Sequence, residues 1–410
     1  MAWLSAPAHH RWLEAEADRL WGFGRASRDA AGGFTRQDDA GRPLPGPLEL
    51  WITCRMTHVY ALAHLAGRPG AAALVDHGLA ALAGPFHDDE HGGWFAQVQA
   101  DGTPHDATKA AYPHAFVVLA TSSATAAGRP GARALLDEAL AAQDRWFWDE
   151  AAGMAVEEWD RAFTHLDPYR GVNANMHTVE AYLAAADVTG DRRWLDRALR
   201  IVGRVVHGFA RDNHWRIPEH FDTSWHPDLE YNADAPAHPF RPYGATVGHW
   251  LEWARLTLHA RAALTARGDV APAWLLGDAI ALFDAAVREG WDVDGAPGFV
   301  YTVDWQGRPV VRERMHWVAA EAVSAAAALH AATGDARYDD LYTQWWDYIG
   351  EHLLDLDGGS WWHELGTDNR VSRTVWVGKA DLYHAVQATL LPRLPLTPAL
   401  APALAAGLLD

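Results

Sequence analysis

Cysteine is nearly absent from the chain. Cys54 is the one thiol, which excludes an intramolecular disulfide framework and a cysteine-rich metal cluster. Positive charge is scarce as well: 34 Lys and Arg stand against 53 Asp and Glu, a net charge of −19. Such a surface repels phosphate backbones and anionic lipid, so no nucleic-acid or membrane partner is expected. No stretch reaches the ~20 apolar residues of a membrane span. The segment Met1-Ala2-Trp3-Leu4-Ser5 lacks the basic and long apolar regions of a secretory signal, and the expected location is cytoplasmic. Three motifs are missing: a Gly-x-x-x-x-Gly-Lys-[Ser/Thr] phosphate loop, a Gly-x-Ser-x-Gly nucleophile elbow and a His-Glu-x-x-His zinc helix.

Tryptophan and histidine, by contrast, are abundant, at 22 and 23 of 410 residues. Indoles suit a pocket that stacks flat apolar faces such as sugar rings. Imidazoles suit proton transfer near neutral pH. Neither count decides a function by itself.

The sequence also repeats. Small helix-ending segments carry Gly67, Gly128, Gly190, Gly268 and Gly334, and between them fall Gly33-Phe34, Gly93-Trp94, Gly153-Met154, Gly298-Phe299 and Gly359-Ser360-Trp361. Asn213-His214-Trp215 fills the vacant place in the second series. Six units of about 60 residues result, the mark of a repeat architecture. Apolar residues at helical spacing predict helices at 9–23, 50–67, 70–83, 106–127, 131–147, 173–189, 191–210, 245–267, 271–289, 312–333, 335–354 and 374–390. Short Gly/Pro links alternate with long ones expected to hold β-hairpins. The expected fold is all-α, an (α/α)6 barrel of twelve helices in six hairpin repeats within one domain over 1–390. An open superhelix would need polar capping repeats, which the ends lack. The polar, Pro-rich insertion 217–244 is expected as a functional loop at the barrel mouth. The Pro/Ala/Leu-rich tail 391–410 has no predicted placement.

Polar residues gather at the starts of the even-numbered helices, so they should share one end of the barrel. Arg55 lies in an apolar helix and needs an acceptor, either an internal carboxylate or a ligand. Asn173 and His177 are i,i+4 with Glu180 beyond, and His249 and Glu252 are i,i+3, placing Glu252 either to orient that imidazole or to share the substrate's hydroxyls. Trp317 with Glu321 and the run Trp376, Lys379, Asp381, His384 follow on the last two units, and Tyr112 holds the matching place on the fourth helix. One histidine on an apolar helix is usually a core residue. Three at matching repeat positions, His177, His249 and His384, point to a common axis. The His-x-x-Glu spacing alone also fits a metal, and Glu252 with Glu321 could serve as a glycosidase pair.

The strings Tyr169-Arg170-Gly171, Asn175-Met176-His177 with Glu180, Gly248-His249 with Glu252-Trp253-Ala254-Arg255, and Lys379, Asp381, Tyr383-His384 resemble those of the N-acylglucosamine 2-epimerase superfamily. The likeness runs from about residue 10 to 390 and leans towards the bacterial aldose–ketose isomerases of mannose and sulfoquinovose. It implies a metal-free, cofactor-free enzyme with His249 and His384 as acid and base and His177 beside them. It implies that Arg55, Tyr112, Asn173, Glu252, Trp317, Glu321 and Asp381 line the sugar pocket, with Arg241, Trp376 and Lys379 on its rim. The expected reaction interconverts D-mannose and D-fructose, with D-lyxose and D-xylulose as a second expected pair, in a monomer or small homo-oligomer. A 2-epimerase, a sulfonated-hexose isomerase, a glycoside hydrolase or lyase on the same barrel, and a non-catalytic sugar binder are the alternatives.

Overall fold

The computed structural model describes residues 2–409. Burial sorts its main helices into two kinds. Helices α2 (Leu50–Leu65), α4 (Ala111–Ala126), α6 (Val172–Thr189), α8 (Val247–Ala266), α10 (His316–Thr333) and α12 (Tyr383–Leu390) are apolar on nearly every side. In α2 burial runs unbroken from Leu50 to Ala63. A helix apolar all round must be surrounded by protein, and these six pack side by side with α12 returning to α2, forming an inner ring.

Helices α1 (Pro7–Gly24), α3 (Ala71–Ala83), α5 (Ala132–Ala142), α7 (Arg192–Val202), α9 (Trp274–Gly290) and α11 (Arg337–Tyr348) form the outer ring. Each is amphipathic; α7 buries only Trp194, Leu195, Ala198, Ile201 and Val202. Each from α3 onward packs on the inner helix before it, and α1 packs on α12. The six-pair (α/α)6 barrel expected from the repeats is thereby present. Glycines at left-handed φ, such as Gly190 (73°) and Gly334 (71°), end inner helices so that the chain can reverse. Single π-helical stretches at 143–147, 203–210 and 349–353 extend α5, α7 and α11 to their expected ends.

The long links do more than form local hairpins. Local pairings exist, for example Trp148–Asp149 with Met154–Ala155 and His87 opposite Trp94. The two residues before each inner helix from α2 to α10 also pair with the following link. Leu48–Glu49 pairs with Gln97–Val98, Lys109–Ala110 with Glu158–Trp159, and Arg170–Gly171 with His220–Phe221. Ala245–Thr246 pairs with Thr302–Val303, and Arg314–Met315 with Glu364–Leu365. A bridge between Gln37 and Lys379 joins first link to last, so a short ladder circles the mouth of the barrel.

That ladder shortens three expected helices. α4 starts at 111 rather than 106 and α10 at 316 rather than 312, because the preceding residues are strand. α12 starts at Tyr383 rather than 374. There Gly378 takes φ 72°, and a Cβ on it would stand 2.3 Å from the Gln37 carbonyl. Lys379 donates its backbone N–H to that same carbonyl at 2.8 Å. Trp376, Lys379 and Asp381 therefore sit on an extended link, not on a helix.

The tail closes the opposite end. Its short helix α13 (Leu400–Ala405) packs against α2, α4 and α6, and Asp187 of α6 accepts the Ala399 N–H at 2.7 Å. No helix among the described residues is long and apolar enough to cross a membrane.

Candidate active site

The starts of the inner helices surround a cavity of about 650 Å³, counted to its open mouth. That size suits a small ligand. Helix α2 contributes Trp51 and Arg55, α4 Tyr112, and α6 Asn173 and His177. Helix α8 contributes His249 and Glu252, α10 Trp317, and the last unit Trp376, Asp381 and His384. Ring geometry has thus brought the three histidines, from residues 72 and 135 apart along the chain, into one chamber.

Two of the imidazoles are held alike. His249 Nδ1 lies 3.0 Å from Glu219 Oε1, and His384 Nδ1 lies 2.9 Å from Glu321 Oε1. A carboxylate at Nδ1 takes that N–H and leaves Nε2 as the free, basic atom. The Trp317 ring stands beside both, with its centroid 5.4 Å from that of His249 and 5.6 Å from that of His384. Burial and the Arg55 cation hold His384 well below the usual imidazole range, so it is neutral at pH 7. His177 differs. Its Nδ1 lies 3.8 Å from both Glu180 and Glu252, beyond hydrogen-bond distance, and burial lowers it to about 4.

The charged residues are mostly tied to one another. Arg55 donates to Asp381 at 3.1 Å and to the Tyr112 hydroxyl at 3.0 Å, with its guanidinium 4.5 Å from the Phe116 and Tyr383 ring centroids. The internal ion pair is therefore real, and Arg55 still faces the cavity. Burial opposes ionisation of Asp381, but Arg55, His384 and the Tyr383 backbone N–H together more than offset it and lower the carboxyl. Beneath the cavity Arg255 donates to Glu321 at 2.8 Å and to Glu252 at 3.4 Å. Burial and the adjacent Glu321 push Glu252 well above the carboxylate range.

The chain resembles known proteins over nearly its whole length. The N-acylglucosamine 2-epimerase family matches residues 32–388. A D-mannose isomerase of Thermobifida fusca is 56% identical over 98% of both chains. One of Pseudomonas cannabina pv. alisalensis is 52% identical over 98% of this chain and 97% of that one. A crystal structure of a D-mannose isomerase superposes with a TM-score of 0.86 at 29% identity, covering 94% of this chain and 98% of the other. The chain belongs to the N-acylglucosamine 2-epimerase family.

Three residues that the resemblance places in the sugar pocket (Glu321) or on its rim (Arg241 and Lys379) stand outside the cavity lining. Lys379 is fully buried; its ammonium meets Asp355 at 2.5 Å and the Gly359 carbonyl at 2.6 Å. Lys109 meets Asp88 and the Gly92 carbonyl in the same way two-thirds of a ring earlier, so this is a repeat fastening rather than a sugar contact. Arg241 lies 4.1 Å over the Tyr169 ring, outside the cavity lining. Glu321 sits behind His384 instead of lining the chamber. The expected orienter of His249 is corrected too: Glu219, from the insertion, does this, and Glu252 does not.

Sequence reasoning missed other parts of the family's cavity. Phe240, from the insertion expected at the mouth, stands edge-on to Trp51 and Trp376, with centroids 5.9 and 5.2 Å away. His316 and His363 are stacked with centroids 3.8 Å apart and line one wall. His363 belongs to a link, and only the cross-link pairing of 314–315 with 364–365 brings it there. Two groups offer ligand atoms close enough for a metal: His177, Glu180 and Glu252, and Glu252, Glu321 and His384, each within 4.8 Å. Arg255 already holds both carboxylates of the second group.

Proposed function

We propose that the protein is an aldose–ketose isomerase that interconverts D-mannose and D-fructose. One observation carries the reading: His249 and His384 face a single chamber, each with a carboxylate at Nδ1 and a free Nε2. The two close relatives named D-mannose isomerase support it.

The chemistry needs an opened sugar. Nε2 of His384 takes the O1 proton and returns it to O5, which opens the ring and makes C1 a carbonyl. Nε2 of His249 then removes the C2 proton and an enediolate forms. The same imidazole delivers that proton to C1 on the same face, while a proton passes from O2 to O1 by way of His384. Fructose results, and both histidines return to their starting state. Acid–base help of this kind supplies about 10²–10⁴-fold. The rest falls to positioning and to donors such as Arg55 that meet the developing oxyanion. Trp317 packs beside both imidazoles and gives the sugar an apolar face.

The charge arrangement favours a neutral hexose over a sulfonated one. Arg55 is the cation that lines the cavity, and it is paired with Asp381; Arg241 and Lys379 lie outside the lining. It also disfavours hydrolysis, since Glu252 and Glu321 are fastened to one arginine rather than free on either side of the chamber. A 2-epimerase remains the second reading, because two imidazoles in one chamber could address opposite faces of C2.

Incubation with D-mannose in deuterated water, followed by NMR, tests the assignment. Fructose should appear first, with some hydrogen carried from C2 to C1. Glucose as the first product, or no turnover of any free hexose, overturns it.

A further inference from the structure

Arg255 makes no part of the substrate chamber. Its guanidinium is 2% exposed and sits one layer below the cavity floor. Nε holds Glu321 at 2.8 Å and Nη2 reaches Glu252 at 3.4 Å. Glu321 uses its other oxygen on His384 at 2.9 Å, and Glu252 lies 3.8 Å from His177. A second cavity, below the floor and under the tail, is bordered by Arg255 and Glu180. The ionic layer thus lies between two hollows.

We infer that Arg255 is a positioning residue for the proton-transfer site: one guanidinium fixes Glu321 and Glu252 together and thereby fixes the ring of His384. The inference rests on the isomerase reading above. Its physical basis is the planar fork of arginine, which grips two carboxylates in fixed directions where the ammonium of lysine is a single point charge. Two carboxylates within 4.8 Å repel each other in a dry interior. The guanidinium between them fixes Glu321 Oε2, which leaves Oε1 aimed at His384 Nδ1 as its acceptor. Other charges face the guanidinium and must be weighed. Glu180 of α6 acts on it, and Glu180 is itself bound by Tyr383 and Gln387 of α12. His259, one turn along α8, is lowered to about 3 by burial and then by Arg255. His177 of α6 and Arg55 of α2 complete the surroundings of Glu252.

The test uses the full chain with Arg255→Met and Arg255→Lys. With D-mannose, Arg255→Met should lower kcat about 10- to 100-fold, the usual cost of removing a group that orients a reacting one, while KM changes less than about threefold. Loss of a buried cation from the layer beneath His384 removes a charge that opposes the imidazolium, so that imidazole protonates more readily and the acid limb of the kcat–pH profile moves to higher pH. Arg255→Lys should restore the limb and part of kcat. Nitrogen-15 NMR of the wild type gives a readout that needs neither variant nor substrate: His384 should be the neutral Nδ1–H tautomer. Unchanged kcat in Arg255→Met, a loss of kcat with an unmoved acid limb, or an Nε2–H tautomer in the wild type overturns the inference. If the wild type turns over no hexose, the isomerase reading fails instead, and the tautomer still tests the geometry.

Discussion

Glu219 and His249 lie 30 residues apart and meet at 3.0 Å, the carboxylate on the insertion and the imidazole on α8. The backbone N–H of Val172 donates to the Glu219 carbonyl at 3.2 Å, beside the pairing of Arg170–Gly171 with His220–Phe221. The insertion is therefore anchored on the neighbouring unit, and it delivers its carboxylate from there. Glu219→Gln keeps an acceptor but removes the charge. We expect kcat for mannose isomerisation to fall about 10- to 100-fold with KM little changed. His249→Ala should lose about 10²–10⁴-fold with the circular dichroism spectrum intact. Steady-state kinetics on both variants checks the order; a Glu219→Gln enzyme as fast as the wild type would remove this carboxylate from the mechanism.

Lys379 gives the opposite prediction. It pairs in the interior with Asp355, so Lys379→Met leaves a buried carboxylate alone, a loss of about 3–5 kcal/mol. Stability should suffer and chemistry should not. Urea unfolding should show the loss, while kcat per folded molecule at low temperature stays within about threefold. A stable variant with a raised KM for mannose would return Lys379 to the substrate.

The contrast between Lys379 and His384 shows what the residue order could disclose. Helical periodicity and the 60-residue spacing sufficed for the barrel, since an apolar face every turn has only an inner ring in which to hide. The same logic brought His249 and His384 together, third and second in their helices, whereas His177 is sixth in α6 and lines the chamber from about one turn deeper. What failed was local. Two-residue strands carry too few residues to leave a period-2 pattern, so helical periodicity reads α12 nine residues too long and carries Lys379 onto it. A signal did exist. Asp88 with Lys109 and Asp355 with Lys379 stand at nearly the same spacing, which marks a repeated structural pair. Glu219 left no trace of this kind, since nothing in a Pro-rich insertion tells which helix it will lean on.

Acid should unfold the protein earlier than its carboxylates alone require. Burial lowers His177 and His316 to about 4 each. In the unfolded chain these rings titrate near 6.5. Between those values the unfolded state binds more protons, so stability is complete above pH 6.5 and is lost as pH falls through about 4. Each such ring accounts for about 3 kcal/mol at most. The Tm should drop steeply over that window, and His316→Gln should flatten the drop. A Tm independent of pH from 6.5 to 4 would contradict the burial of these imidazoles.

Metal removal separates the two chemistries that a His–Glu cluster allows. Glu252, Glu321 and His384 could supply three ligand atoms, but a divalent ion among them would face the Arg255 guanidinium at close range. Bringing a cation there means displacing an existing one, at an electrostatic cost that grows in a dry interior. The free Nε2 atoms, by contrast, need only a sugar. Exhaustive dialysis against EDTA should therefore leave kcat within about twofold of the untreated enzyme. Added Zn²⁺ should inhibit, by capturing an imidazole that the reaction requires as a base. Loss of turnover on chelation with recovery on adding a divalent ion would mean that the carboxylates serve a metal, and that Arg255 yields to it.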